Sequence, residues 1–444
     1  MGEHRHRPPG AARLRLLAAV VAVVSLVAVA CAPDVDPERT SAGDDEILAA
    51  AEQWVEDQTS PSASAFVDAV ATTDDVRWAP WLLDLLRLGR NSATNAQISG
   101  ILERWSGIPA TARIPDLVAY GSWLRDLELD GGPDYREFKV AVYSEIDERF
   151  GPLLAEVADQ AELAAIQWGG VPLGGIPQLD DPARLPADEA PWMVADEVIL
   201  GVAIDGEAVA YPLRILLHHE LVNDTVAGRE LAIVYCTLCR TGLVFEATVG
   251  EVDRTFLTSG LLLDSNKLMV DVETGSLWHH LRGLGVSGPD LGTELVTVRA
   301  EHRSWGEWLE IHPDTEVLDL PEPVFFDNPE RPPIAYDYTP GAAYQSYYGS
   351  EQLWFPVAGF GDQLPGKTLV LGLSDGGEHL ALDIAEIGEP GSTATVEVGG
   401  ATFVVTATGG GAVAVDATGE PVDAIQGFWF AWHGLHPDTE IWPA

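Results

Sequence analysis

The stretch LAIVYCTLCRTGLVFEA, Leu231 to Ala247, sets two cysteines, Cys236 and Cys239, between two short apolar runs. LAIVYC and GLVFEA are rich in β-branched and aromatic residues and read as strands joined by a turn. A C-x-x-C at such a junction lacks the helix N-terminus that lowers the first thiol's pKa in thioredoxin-like motifs. The chain holds one further cysteine, Cys31.

Outward from this stretch, the sequence repeats itself. LGVAIDGEAVAYPLRIL at Leu200 matches LGLSDGGEHLALDIAEI at Leu371. GRELAIVYCTLCRTGLVFEATVGE matches GGATFVVTATGGGAVAVDATGE, and WGEWLEIHPDTEVL at Trp305 matches WFAWHGLHPDTEIW at Trp429. Three blocks in the same order predict a pair of related β-rich units, copy one over 169–320 and a degenerate copy two over 351–444, joined by a linker over 321–350. Two copies are too few for a solenoid. Setting GLVFEATVGE on GAVAVDATGE pairs Cys236 with Val405 and Cys239 with Thr408, so copy two lacks both thiols. Residues shared by both copies, such as Trp308 with Trp432 and His312 with His436, read as structural. Copy one alone carries an insertion beginning at Leu257, whose Ser259, Asn266, Asp271, Thr274, Ser276, Trp278 and His279 are candidates for one face of a pocket.

Residues 44–165 have apolar positions three and four apart, with Ser, Asp, Asn or Pro near several segment starts. This predicts antiparallel helix pairs, loosely solenoid-like, with Trp54, Trp78, Trp81, Trp105 and Trp123 in the core. The fold class expected is therefore α+β: a helical N-terminal domain followed by a tandem-duplicated, mainly β domain.

Arg5, Arg7, Arg13 and Arg15 precede an apolar run from Leu16 to Ala30 that is short for a membrane span and fits a secretory signal. Small residues lead into Cys31, as at a lipoprotein cleavage site. The expectation is a signal over 1–31 with Cys31 lipidated, a tether over 32–43, and a mature chain anchored on the outer face of the cell membrane. Acylation of this kind gives stable anchoring when more than one chain is attached. Outside the cytoplasm an exposed dithiol is either oxidised or protected, for example by a metal. A net charge of −44 argues against nucleic-acid partners, which select basic patches. The partners expected are the membrane, through Cys31, and an envelope protein.

The blocks IPQLDDP, VILGVAIDGEAVAYPLRILLHHELVNDTVAGRELAIVYCTLCRTGLVFEA, TSGLLLDSNKLMVDVETGSLW and WGEWLEIHPDTEVL resemble the prokaryotic family called domain of unknown function 3179. The resemblance is strong over 169–320 and weak in copy two, and it supplies no activity. It implies that His219, Glu220, Asn223 and Asp224 belong with the cysteine strand. Arg240 departs from the glycine that follows the second cysteine in the family. His279 and His280 stand where the family has other polar residues, which makes their imidazoles poor candidates for an essential role.

Two thiolates at this spacing chelate one ion, and zinc needs two further ligands. His219, just before the cysteine strand, is the expected third ligand, with copper or zinc as the ion because thiolates suit soft metals. Glu220, Asn223, Asp224, Ser259, Asn266, Ser276 and Trp278 are the expected pocket and supporting residues. Three alternatives stay open: a thiol redox protein, an enzyme acting in the inserted loop, and an envelope binding or assembly module with a structural cysteine pair. No G-x-S-x-G, H-E-x-x-H or P-loop motif occurs.

Overall fold

The computed structural model describes residues 42–57, 59–89, 91–111, 113–321, 325–326 and 334–443. Cys31 and the whole signal segment lie outside the described residues, as does most of the tether. Eight helices come first: α1 (Ala42–Asp57), α2 (Ser60–Val70), α3 (Ala79–Leu88), α4 (Ser92–Ser106), α5 (Arg113–Asp126), α6 (Tyr135–Ser144), α7 (Phe150–Ala155) and α8 (Gln160–Ala165). Their ends follow local chemistry. Thr59, Asn91 and Asp159 cap the starts of α2, α4 and α8 with side-chain oxygens, and Gly89 and Gly107 close α3 and α4 in left-handed conformations. Trp54, Trp78 and Trp81 are buried, and Trp105 and Trp123 pack half-buried against the same core.

From Gln167 onward the described chain is mainly β, with five sheets of three to five strands. The matching sequence blocks occupy matching places. Val198–Ile204 and Glu207–Pro212 lie between Ala300–Ser304 and Glu316–Leu318, and Leu369–Asp375 and Glu378–Asp383 lie likewise between Ile425–Phe428 and Glu440–Trp442. In one half Trp308 donates to Thr315 Oγ1 at 2.9 Å and packs tilted against His312, ring centroids 4.2 Å apart. In the other, Trp432 donates to Thr439 Oγ1 at 3.0 Å and packs tilted against His436, centroids 4.3 Å apart. A side chain on Gly201 or Gly372 would strike these tryptophans, so both strands need glycine there.

The second sheets correspond too, and they correct the cysteine register. Val226 pairs with Arg229 at one end of the first hairpin, as Val398 pairs with Ala401. Equally far along, Cys236 pairs with Thr241 and Thr408 with Gly411. Cys236 therefore corresponds to Thr408, not to Val405. Cys239 has no counterpart, because Thr237 to Arg240 form a turn that the second half closes with Gly409 and Gly410 alone. The cysteine motif is an enlarged turn rather than a substituted strand.

The insertion forms its own sheet, with Phe256–Leu263, Asn266–Asp271, Leu277–His279 and Leu284–Ser287 in order, and Gln167–Trp168 at its edge. The helices pack on it: Leu261, Leu263, Leu268, Val270, Leu277 and Val286 belong to the same buried core as the helical tryptophans. Gathering this apolar surface out of water is what holds the helical region to the β region.

Candidate metal site

Cys236 ends the strand Arg229–Cys236, which lies between two partners and is buried over its last six residues. Arg240 takes a left-handed φ of 56° right after Cys239. The departure from glycine thus leaves the turn's conformation intact, and the guanidinium sits 5.4 Å from the Tyr348 ring. Three successive carbonyls of the turn are held from outside it. Tyr348 Oη donates to Thr237 O at 2.9 Å, Tyr347 Oη to Leu238 O at 3.0 Å, and the Phe428 amide to Cys239 O at 2.8 Å.

Both thiols are buried and unbridged. The third group beside them is His280, not His219. Sγ of Cys236, Sγ of Cys239 and a ring nitrogen of His280 all lie within 4.8 Å of one another. Ligand atoms bound at about 2.0–2.3 Å stand at most about 4.6 Å apart across an ion, so the triad needs only a small closure to hold one. His280 is fully buried, and neither ring nitrogen has a hydrogen-bond partner. A buried imidazole without partners is costly unless something else satisfies it.

Asn266 completes the surroundings. Its Nδ2 donates to Cys239 Sγ at 3.0 Å, and its Oδ1 accepts from the Leu281 amide at 3.2 Å. One amide thus ties the sulfur to the residue after His280, as supporting residues do around metal ligands. Cys236 Sγ reaches Ser265 O at 4.0 Å. Burial pushes the Cys236 thiol up, but the hydrogen bond from Cys239 and the His280 imidazole outweigh it, leaving Cys236 well below its ordinary pKa. Burial and the neighbouring Cys236 push Cys239 well above its own. The pair gives up one proton readily and keeps the other.

His219 is occupied elsewhere. Its Nδ1 lies 2.7 Å from Pro177 O and its Nε2 2.6 Å from Tyr338 Oη, and burial lowers its pKa. Glu220 supports the turn from below: it accepts from Thr237 Oγ1 at 3.0 Å and pairs with the buried Lys267 at 2.5 Å. Asn223 bridges Asp180 and the Phe256 backbone. Asp224 accepts from Tyr211 Oη at 2.8 Å, and burial raises its carboxyl pKa despite that bond. Ser259 Oγ donates to Leu268 O at 2.6 Å and accepts from the Leu261 amide, filling a strand irregularity. Asp271 gathers Thr274 and the Trp278 indole, which donates at 2.8 Å, while Ser276 Oγ meets Thr274 and the Asp290 amide. These groups close a turn, and Trp278 shares the buried core of the two cysteines. Of the residues singled out from sequence, Asn266 and the two cysteines come together.

His280 was set aside because the family resemblance has other polar residues at its position, yet a strand pairing, not a spacing, brings it to the thiols: its amide donates to Lys267 O, next to Asn266. Its position two residues after Trp278 of SLW, in an insertion unique to the cysteine-bearing half, was the available signal.

No helix among the described residues is long and apolar enough to cross a membrane. No curated protein and no solved structure matches the chain. One family model does match, over residues 173–420, which is more than half of the chain and takes in the cysteine turn, the insertion and most of the second half. The chain belongs to the family described as protein of unknown function (DUF3179).

Proposed function

We propose that this protein binds one soft metal ion at Cys236, Cys239 and His280, outside the cytoplasmic membrane to which Cys31 tethers it. The observation that carries this is the buried His280, both nitrogens unpartnered, beside two thiols. Two thiolates and one imidazole suit copper(I) and zinc. Copper(I) is the better fit, because no fourth His, Cys, Asp or Glu joins the cluster among the described residues, whereas structural zinc takes four ligands. The likeness of the two halves supports descent from one duplicated unit, with the site built into an enlarged turn of the first.

The test is metal analysis of protein purified without added chelator, with copper(I) titration against a colorimetric competitor. One equivalent is expected in the wild type, with affinity falling at least tenfold in Cys236→Ser and His280→Gln and holding in His219→Gln. Absence of stoichiometric binding, with both sulfurs in a disulfide, sinks the proposal.

The opposed pKa directions of the two thiols favour a second reading, a thiol–disulfide couple in which Cys236 is the reactive sulfur. It predicts reversible oxidation in a defined dithiol–disulfide redox buffer, in which the buffer disulfide is reduced as Cys236 and Cys239 join, with His280→Gln slowing alkylation of Cys236, and no metal requirement.

A further inference from the structure

A cavity of about 540 Å³ lies where the two halves meet, within the range of small-molecule sites. Its wall includes Leu243, Val244 and Phe245 from the first half, and Gly372, Trp432 and Leu435 from the second. A companion cavity of about 350 Å³ is built from the corresponding residues of the opposite halves: Val413, Ala414 and Val415 with Gly201, Trp308 and Ile311. The fold therefore makes this chamber twice. Only the larger one is extended by the insertion, through Leu281, Arg282 and Leu284.

The larger chamber also holds an unsatisfied polar group. His302 lines it, is 5 % exposed, and has no partner for Nε2. The corresponding residue of the second half is Gln426, which pairs with Leu371 as His302 pairs with Leu200. Gln426 is fully bonded, accepting from the Ala412 amide at 3.2 Å and donating to Gly410 O at 3.0 Å. Burial lowers the His302 pKa to about 4, so the imidazole is neutral near pH 7. The arginines of the wall are already paired, Arg282 with Glu162 and Arg299 with Glu301. Glu294 and Asp423, both exposed lining residues, make no ion pair among the described residues. The unbalanced charge of the chamber is thus negative.

We infer that this chamber binds a small, mainly apolar molecule carrying one positive charge: its body packs on Leu243, Phe245, Leu371 and Trp432, and its cation faces Glu294 and Asp423. The inference stands on the cavity and its charges and is independent of the metal site.

The test is calorimetric titration of the full chain, at neutral pH and moderate salt, with 2-phenylethylamine, 2-phenylethanol and phenylacetate. These three probes share a body and differ in charge. The amine is expected to bind with sub-millimolar affinity, at least tenfold more tightly than phenylacetate. Val422→Trp, which fills the chamber from a half-buried lining position, abolishes binding. Ser374→Trp does the same from the solvent side and replaces it if Val422→Trp melts below the wild type. Glu294→Gln with Asp423→Asn removes the preference for the amine. Three results overturn the inference: phenylacetate binding as well as the amine, none of the three probes binding, or amine binding unchanged in a folded filling variant, which places it on the acidic surface instead.

Discussion

Arg125 of α5 grips Asp264 through two hydrogen bonds, Nε to Oδ1 at 2.9 Å and Nη2 to Oδ2 at 3.0 Å. Asp264 and Ser265 both have positive φ and form the turn that delivers Asn266 to Cys239. On the other side, Arg282 joins Glu162 at 2.7 Å, two residues past His280. The helical region thus clasps both segments that surround the thiols. Arg125→Ala is expected to cost about 1.5 kcal/mol in urea unfolding, the scale of a hydrogen bond to a charged group. It should also weaken copper(I) binding about tenfold, as loss of an outer support does. Asp264→Ala in the same background should add little, because the two act as one pair. Unchanged affinity in Arg125→Ala would detach the helical region from the site.

His302 makes stability fall on the acid side. Above pH 6.5 the folded and unfolded chains both keep this imidazole neutral. Between pH 6.5 and about 4 the unfolded chain takes up a proton that the folded one refuses, so stability is lost as pH falls through that window. The full loss is on the order of 3 kcal/mol for a shift of this size. His302→Gln places the second half's residue at this position and should flatten that part of the slope. The check is the difference in urea midpoint between wild type and variant, at pH 7 and at pH 4.5.

Lys139 is fully buried in the helical region, with Nζ 3.3 Å from Asp84 Oδ1, 3.2 Å from Tyr135 Oη and 2.8 Å from Ile166 O. Removing one partner of a buried pair strands the other charge, so Lys139→Met should cost about 3 to 5 kcal/mol. Lys139→Met with Asp84→Leu should recover most of it. Chemical denaturation of the three proteins decides, and a single variant within 1 kcal/mol of wild type would mean the pair is not carrying charge.

Cys31→Ala should shift the protein from the membrane fraction to the soluble one while leaving copper(I) stoichiometry intact. Fractionation with mass measurement of the N-terminal peptide reads both the anchor and the cleavage point. Membrane retention of the variant would point to another means of attachment.

Much of the architecture was legible because matched blocks such as WGEWLEIHPDTE and WFAWHGLHPDTE repeat in order, and hydrophobic spacing separates helices from strands. The exact register was not. Aligning Gly242 with Gly411 looked natural, yet the backbone pairs Thr241 and Gly411 with corresponding partners, and no sequence symbol marks where a turn gains residues. His219 was attractive because it is near Cys236 along the chain; proximity in space instead came from the hairpin carrying Asn266 and the strand before His280. The chain has three lysines, Lys139, Lys267 and Lys367. All three lysines turn out to be anchors: Lys139 on Asp84, Lys267 on Glu220, and Lys367 donating to the carbonyls of Tyr347, Ser350 and Gln352 at 2.6, 2.7 and 2.8 Å. Burial that discriminates one lysine from another is a tertiary property and leaves no local pattern.

The grip on the carbonyls of Thr237, Leu238 and Cys239 has a consequence for biogenesis. Its donors, Tyr348, Tyr347 and Phe428, are made long after the cysteines. A nascent chain in which both thiols have been made still lacks the parts that shape their turn. The shape of the cysteine turn is therefore completed only after Phe428 has been made, and a product truncated before Phe428 carries both thiols in an unfinished cradle.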